Sequence, residues 1–99
     1  MRLSKFEIDS IKECAKEIIK EGKIYLFGSR VDDNKKGGDI DLYIELPKKP
    51  DFLMKIDFLV CLKNKIGEQK IDIVLYYPKK EKKLIDKIAK KEGILIWSS

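Results

Sequence analysis

An alternation of acidic and apolar residues, Asp39-Ile40-Asp41-Leu42-Tyr43-Ile44, constrains this chain more than any other segment. Successive side chains of an extended strand leave opposite faces, so Ile40, Leu42 and Ile44 point one way while Asp39, Asp41 and Tyr43 point the other. A sheet built on such a strand must be two-faced. One face is packed by apolar helices, and the other presents carboxylates. Aspartate is a poor strand residue, so a pair at a strand start asks for a reason beyond folding. Their Cα atoms would lie roughly 6.5–7 Å apart, a spacing that one or two hard cations can bridge. The plainer alternative for Asp39 is a turn residue following Gly37-Gly38.

The rest of the chain supplies helices and strands for that sheet. Ser4 and Glu7 have capping-box spacing, and Ile8, Ile11, Ala15, Ile18 and Ile19 recur at helical intervals as far as Gly22. A first helix of about four turns follows from that pattern. Ile24 to Phe27 reads as a buried strand that runs into Gly28-Ser29, a turn whose backbone N–H groups could hold phosphate. After a loose basic segment ending at Gly38, the second strand, Asp39 to Glu45, is closed by Pro47 and Pro50. The pattern predicts a second helix from Asp51 as N-cap, carrying Phe52, Ile56, Leu59, Val60 and Leu62 to Gly67. Lys70 to Tyr76 reads as a third strand, and about Glu81 to Lys91 as a last helix with Leu84, Ile85, Ile88 and Ala89 inward. Ile94 to Trp97 could add a short fourth strand or a partner-binding end. This order predicts an α/β (α+β two-layer) domain, a small mixed sheet with helices on one face.

A third carboxylate, Asp72, sits within Ile71-Asp72-Ile73-Val74-Leu75, so three acids can converge on the open face. Phosphoryl and nucleotidyl transfer need that inventory, because negative charge accumulates on the attacking and leaving oxygens and a carboxylate-held metal pair neutralises both. Magnesium suits a site of a few carboxylates completed by substrate phosphates and water. Histidine is absent from the chain, which removes histidine-based zinc sites, the serine-histidine-aspartate triad and a histidine general base.

Phe27-Gly28-Ser29-Arg30, then Gly38-Asp39-Ile40-Asp41-Leu42, then Asp72 on a later strand resemble the minimal nucleotidyltransferases of the polymerase-beta superfamily. The resemblance runs from the first helix to the last apolar segment. It implies that Gly28 and Ser29 hold the incoming triphosphate, that Asp39 and Asp41 bind two Mg2+ ions, and that Asp72 completes the metal site and serves as base near the acceptor hydroxyl. Arg30 is implied as a phosphate contact, with an exposed surface role as its alternative. The implied reaction moves a nucleoside monophosphate, AMP from ATP, to a hydroxyl with release of pyrophosphate. Small stand-alone members often accompany a helical HEPN-type protein, and some act as antitoxins that adenylylate a tyrosine on that toxin. Transfer to a small molecule or an RNA end is the alternative within the enzyme class. Outside it stand a non-catalytic subunit that neutralises a helical partner by contact, and a basic nucleic-acid-binding module.

At 99 residues the chain reads as one small domain spanning 1–99, with little room for a base-recognition domain, so it is expected to work with a second polypeptide or as an oligomer. Its net charge of +5 comes from 22 basic and 17 acidic residues that are interspersed, which argues against a dedicated nucleic-acid groove. The most basic stretch, Lys79-Lys80-Glu81-Lys82-Lys83 with Lys87, Lys90 and Lys91, reads as the solvated face of a helix, since no aromatic residue is interleaved there to stack bases. Tyr43 could stack on a nucleobase or pack within the sheet, and Trp97 could plug the core or meet a partner. Cys14 and Cys61 fall among apolar helix positions and read as core thiols. With no signal-peptide pattern and no run near the roughly 20 apolar residues of a membrane span, a reducing cytoplasm is the expected setting.

Overall fold

The computed structural model describes residues 3–28, 40–67, 69–78 and 91–99. The first helix, α1 (Lys5–Cys14), begins with a complete capping box: the Glu7 N–H donates to Ser4 Oγ at 3.1 Å and the Ser4 N–H to Glu7 Oε1 at 2.9 Å. Its continuation, Ala15–Ile19, widens into a π-type turn, closed by the Lys20 N–H donating to the Ala15 carbonyl at 2.8 Å. Lys20 then takes a positive φ of 70°, and the chain leaves the helix before Gly22.

Strands β1 (Lys23–Phe27), β2 (Ile40–Glu45), β3 (Ile71–Tyr76) and β4 (Ile94–Ser98) form one sheet in the order β3-β2-β1-β4. β1 runs antiparallel to both β2 and β4, whereas β2 and β3 are parallel, so the sheet is mixed. The parallel pair needs a crossover, and the helix α2 (Met54–Ile66) supplies it. Ile94–Ser98 is therefore a true strand, with a bulge against β1 between Ile24 and Tyr25. Its Trp97 is 7% exposed and belongs to the core cluster, as a core plug would.

The alternating pattern does what its period requires. Ile24 and Leu26 of β1, Ile40, Leu42 and Ile44 of β2, and Ile71 and Ile73 of β3 are buried in one cluster with Ile11, Ala15, Ile19, Phe58 and Leu62 of the helices. Each fully buried side chain of this size contributes roughly 1.5–3 kcal/mol of transfer free energy. Both helices thus lie on one face of the sheet.

Two expectations change. α2 starts at Met54 rather than after Asp51, because residues 51–53 form a turn in which the Asp51 carbonyl accepts from the Met54 N–H at 3.1 Å; Leu53, which makes no side-chain cap, is the N-cap. At the other end Gly67 stops the helix as expected, with φ of 88°. The cysteines are not separate core thiols. Cys14 at the end of α1 and Cys61 on α2 form a disulfide, their Cα atoms 6.0 Å apart, because helix packing brings the two apolar faces together at that height. The expected final helix, 81–91, lies largely outside the described residues; Lys91 and Glu92 are helical.

The disulfide joins residues 47 apart in sequence. In the chain-entropy account a loop of that length is worth about 4 kcal/mol. Protein purified without reductant should show no free thiol when denatured under non-reducing conditions, and the Cys14→Ala/Cys61→Ala double variant should lose roughly 2–4 kcal/mol of stability in denaturant titration. Two titratable thiols in the untreated protein would contradict the bridge.

Candidate nucleotidyl-transfer site

Two of the three expected carboxylates are placed by the β2–β3 pairing. In the parallel register Ile40 lies beside Ile71, Asp41 beside Asp72 and Leu42 beside Ile73. Paired residues on adjacent strands project from the same face, so Asp41 and Asp72 stand side by side, their Cα atoms about 4.8 Å apart by strand spacing. The face is the one opposite the helices. The register is anchored at both ends: the Ile40 N–H donates to the Lys70 carbonyl at 3.0 Å, and the Leu46 N–H to the Tyr76 carbonyl at 2.8 Å. Like charges directly opposite each other on adjacent strands disfavour pairing, which a bound cation reverses.

On the other side of β2, Phe27 is the partner of Asp41, and Gly28 follows at the end of β1. Gly28 takes φ of 79°, a left-handed conformation. A Cβ there would collide with the Asp41 carboxylate, so the space a side chain would occupy is filled by the acid. The sequence therefore uses glycine here for two reasons: the turn needs its backbone, and the carboxylate needs its missing side chain. Asp72 is exposed and Asp41 half-buried.

The remaining expected site residues, Ser29, Arg30 and Asp39, lie outside the described residues. Among the described residues no three His, Cys, Asp or Glu side chains cluster closely enough to hold a metal. The donor set at Asp41 and Asp72 nevertheless fits a hard, oxygen-seeking divalent cation such as Mg2+. Softer chemistry has no ligands here: histidine is absent from the sequence and both cysteines are consumed by the disulfide.

Tyr43 follows Asp41 on the same strand face but is fully buried. Its ring lies 6.1 Å from that of Tyr25 on β1, tilted at 50°, and 6.5 Å from that of Tyr76 on β3, stacked at 22°. The packing reading of Tyr43 holds, and the nucleobase reading does not. The row of three rings across β1, β2 and β3 floors the face beside the carboxylates. Alternation alone assigns Tyr43 and Asp41 to one face without revealing that the tyrosine is covered. Tyr25, the register partner of Tyr43, and Tyr76, four residues beyond Asp72 and so on the same face, were the available signal.

A family profile described as polymerase beta, nucleotidyltransferase matches residues 7–99. No curated protein matches the chain. Among solved structures, a toxin–antitoxin complex with AMP-PNP is similar at 18% identity and TM-score 0.69, with 93% of this chain and 73% of that one covered. A complex of tri-AMPylated Shewanella oneidensis HEPN toxin with MNT antitoxin is similar at 18% identity and TM-score 0.65, covering 94% and 71%. The MntA–HepT toxin–antitoxin complex gives 16% identity and TM-score 0.66, covering 97% and 74%. At these identities the likeness is one of fold.

The Gly28 geometry makes a sharp prediction. Gly28→Ala should cost about 1–2 kcal/mol of stability from the left-handed backbone alone. Because the new methyl also displaces the Asp41 carboxylate, any phosphate-transfer activity should fall by two orders of magnitude or more in a variant that remains folded at the assay temperature. Near-normal activity in Gly28→Ala would mean that this close approach is not part of the site.

Proposed function

Because the chain belongs to the polymerase beta nucleotidyltransferase family, we propose that it transfers AMP from ATP to a hydroxyl on a HEPN-type partner and thereby acts as an antitoxin. The observation that carries this reading is the in-register placement of Asp41 beside Asp72 on the open face, next to the side-chain-free Gly28. The structural relatives support the choice of nucleotide and acceptor, since one holds AMP-PNP and another pairs an MNT antitoxin with a tri-AMPylated HEPN toxin.

The residues divide the work. Gly28 and Ser29 bring backbone N–H groups to the triphosphate, with Arg30 adding a charged contact to its oxygens. Asp41 and Asp72, with Asp39, hold Mg2+, which supplies Lewis-acid stabilisation of the charge that develops on the phosphates. The acceptor oxygen attacks the α-phosphorus, and the bond to the bridging oxygen of the β-phosphate breaks. Pyrophosphate leaves with that electron pair. Asp72 is exposed at the edge of the site, where it can take the proton from the acceptor hydroxyl.

Labelled ATP, Mg2+ and the purified chain, mixed with the protein of the neighbouring reading frame, should move label onto that protein. Asp41→Asn and Asp72→Asn should each abolish transfer by at least 1,000-fold while folding normally. In metal-free buffer both variants should be as stable as the parent or slightly more so, because a like-charge neighbour has been removed. Added Mg2+ with ATP should raise the melting temperature of the parent and not of either variant. Transfer that survives Asp41→Asn would refute the site, and stable complex formation with no label movement would replace catalysis with neutralisation by contact.

A further inference from the structure

The two cysteines of the chain meet in a bridge that joins the helices behind the candidate site. Packing at that junction does not wait for the bridge. Ile11, Ala15, Phe58 and Leu62 are fully buried in one core cluster around it. The Lys65–Glu13 ion pair, at 3.0 Å, runs alongside, since Glu13 precedes Cys14 and Lys65 lies one turn beyond Cys61. Its side chains are 34% and 65% exposed, so the pair aligns the helices more than it stabilises them. With the bridge open the two sulfurs stay neighbours, which a bond that opens and recloses requires.

The two sulfurs differ in access. Cys14 is fully buried, whereas Cys61 is half-buried and lines a solvent-open cavity of about 540 Å³ with Glu17, Asp57, Asn64 and Lys65. That is room for a small thiol. The carboxylates of Glu17 and Asp57 face a single ammonium, which Glu13 already engages, so the cavity admits an uncharged thiol more readily than an anionic one. A thiolate entering there attacks Cys61 Sγ, the bond to Cys14 breaks, and Cys14 leaves with the electron pair and takes a proton. The second thiol of a dithiol then displaces Cys61 in the same way. The bridge gains two electrons, and the dithiol loses them in closing to a disulfide.

The helix α2 carries the consequence forward. Cys61 sits in its second half, Gly67 ends it, and the chain then enters β3, whose second residue is Asp72. On the other side of the bridge the π-type turn Ala15–Ile19 begins directly after Cys14. The bridge therefore clamps the helical layer between an irregular turn and the approach to the strand that bears Asp72. We propose that the Cys14–Cys61 bridge is a reversible redox switch, opened at Cys61 by a small uncharged dithiol, and that opening it loosens α2 and the start of β3 so that Asp72 loses its fixed place beside Asp41. The effect on transfer rests on the adenylyl-transfer reading above; the switch and the loosening of β3 do not.

The test uses the full chain in native buffer, oxidised or treated with dithiothreitol. Peptide mapping after brief exposure to 2-mercaptoethanol should find the adduct on Cys61 and not on Cys14, and glutathione should react at least threefold more slowly at equal thiolate concentration. Opening the bridge should speed amide hydrogen exchange at least tenfold in residues 60–66 and 71–76, with β1 and β4 unchanged. Transfer to the protein of the neighbouring reading frame should fall at least tenfold and return on reoxidation. Cys14→Ala/Cys61→Ala should stay at the lower rate and ignore dithiothreitol, and Lys65→Ala should slow reclosure at least threefold without changing transfer by the oxidised protein. A bridge that dithiothreitol opens only on denaturation, or whose opening leaves exchange in β3 unchanged, would overturn the switch. Faster exchange with undiminished transfer would overturn its coupling to the site. Faster exchange with no transfer in either redox state would overturn the adenylyl-transfer reading and leave the switch standing.

Discussion

The candidate site of this molecule depends on the register between two parallel strands. The β2–β3 ladder sets Asp41 against Asp72 and, in the same step, turns Ile40, Leu42, Ile44, Ile71 and Ile73 toward the helices. Because side chains alternate strictly, a slip of one residue in β3 would bury Asp72 and expose Ile71 and Ile73. The core and the site are therefore selected together. Folding energy from the apolar face enforces a carboxylate pairing that like charges alone would resist.

The helices secure that arrangement from behind. α1 enters through its capping box, ends in a π-type turn, and is bridged to α2 by Cys14–Cys61. α2 in turn is the crossover that makes β2 and β3 parallel. The bridge thus stiffens the element whose position sets the strand pairing. The floor of the open face is equally specific: three tyrosine rings from three strands pack beside the carboxylates, which leaves polar chemistry to the strand ends where β1 yields to Gly28.

Much of this was legible in the chain. Apolar runs and period-two alternation located the first three strands, Ile94 to Trp97 was open between a strand and a partner-binding end, the Ser4–Glu7 spacing marked the first helix, and Gly67 its counterpart at the end of α2. The candidate site was legible to the extent that it is local, in the order of Gly28, Asp41 and Asp72. What escaped was governed by tertiary structure. A cysteine at an apolar helix position looks the same whether it is free or paired, and only the α1–α2 packing decides that Cys14 meets Cys61. Asp51 is a good cap by type, but the turn through residues 51–53 moves the helix start to Met54. Tyr43 shares a face with Asp41, and alternation carries no information about its burial there. Ile56 and Val60 fall in one apolar set with Leu59 and Leu62 along the sequence, although both are exposed where Leu62 is buried.

The proposed transfer requires that Asp41 and Asp72 together form the metal-nucleotide site. A crystal structure of the chain with Mn2+ and a non-hydrolysable ATP analogue, read by the anomalous signal of the metal, tests it directly. The prediction is manganese within coordination distance of both carboxylates, with the triphosphate running toward the Gly28 turn. Manganese and nucleotide bound together elsewhere on the chain, with Asp41 and Asp72 uncoordinated, would contradict it.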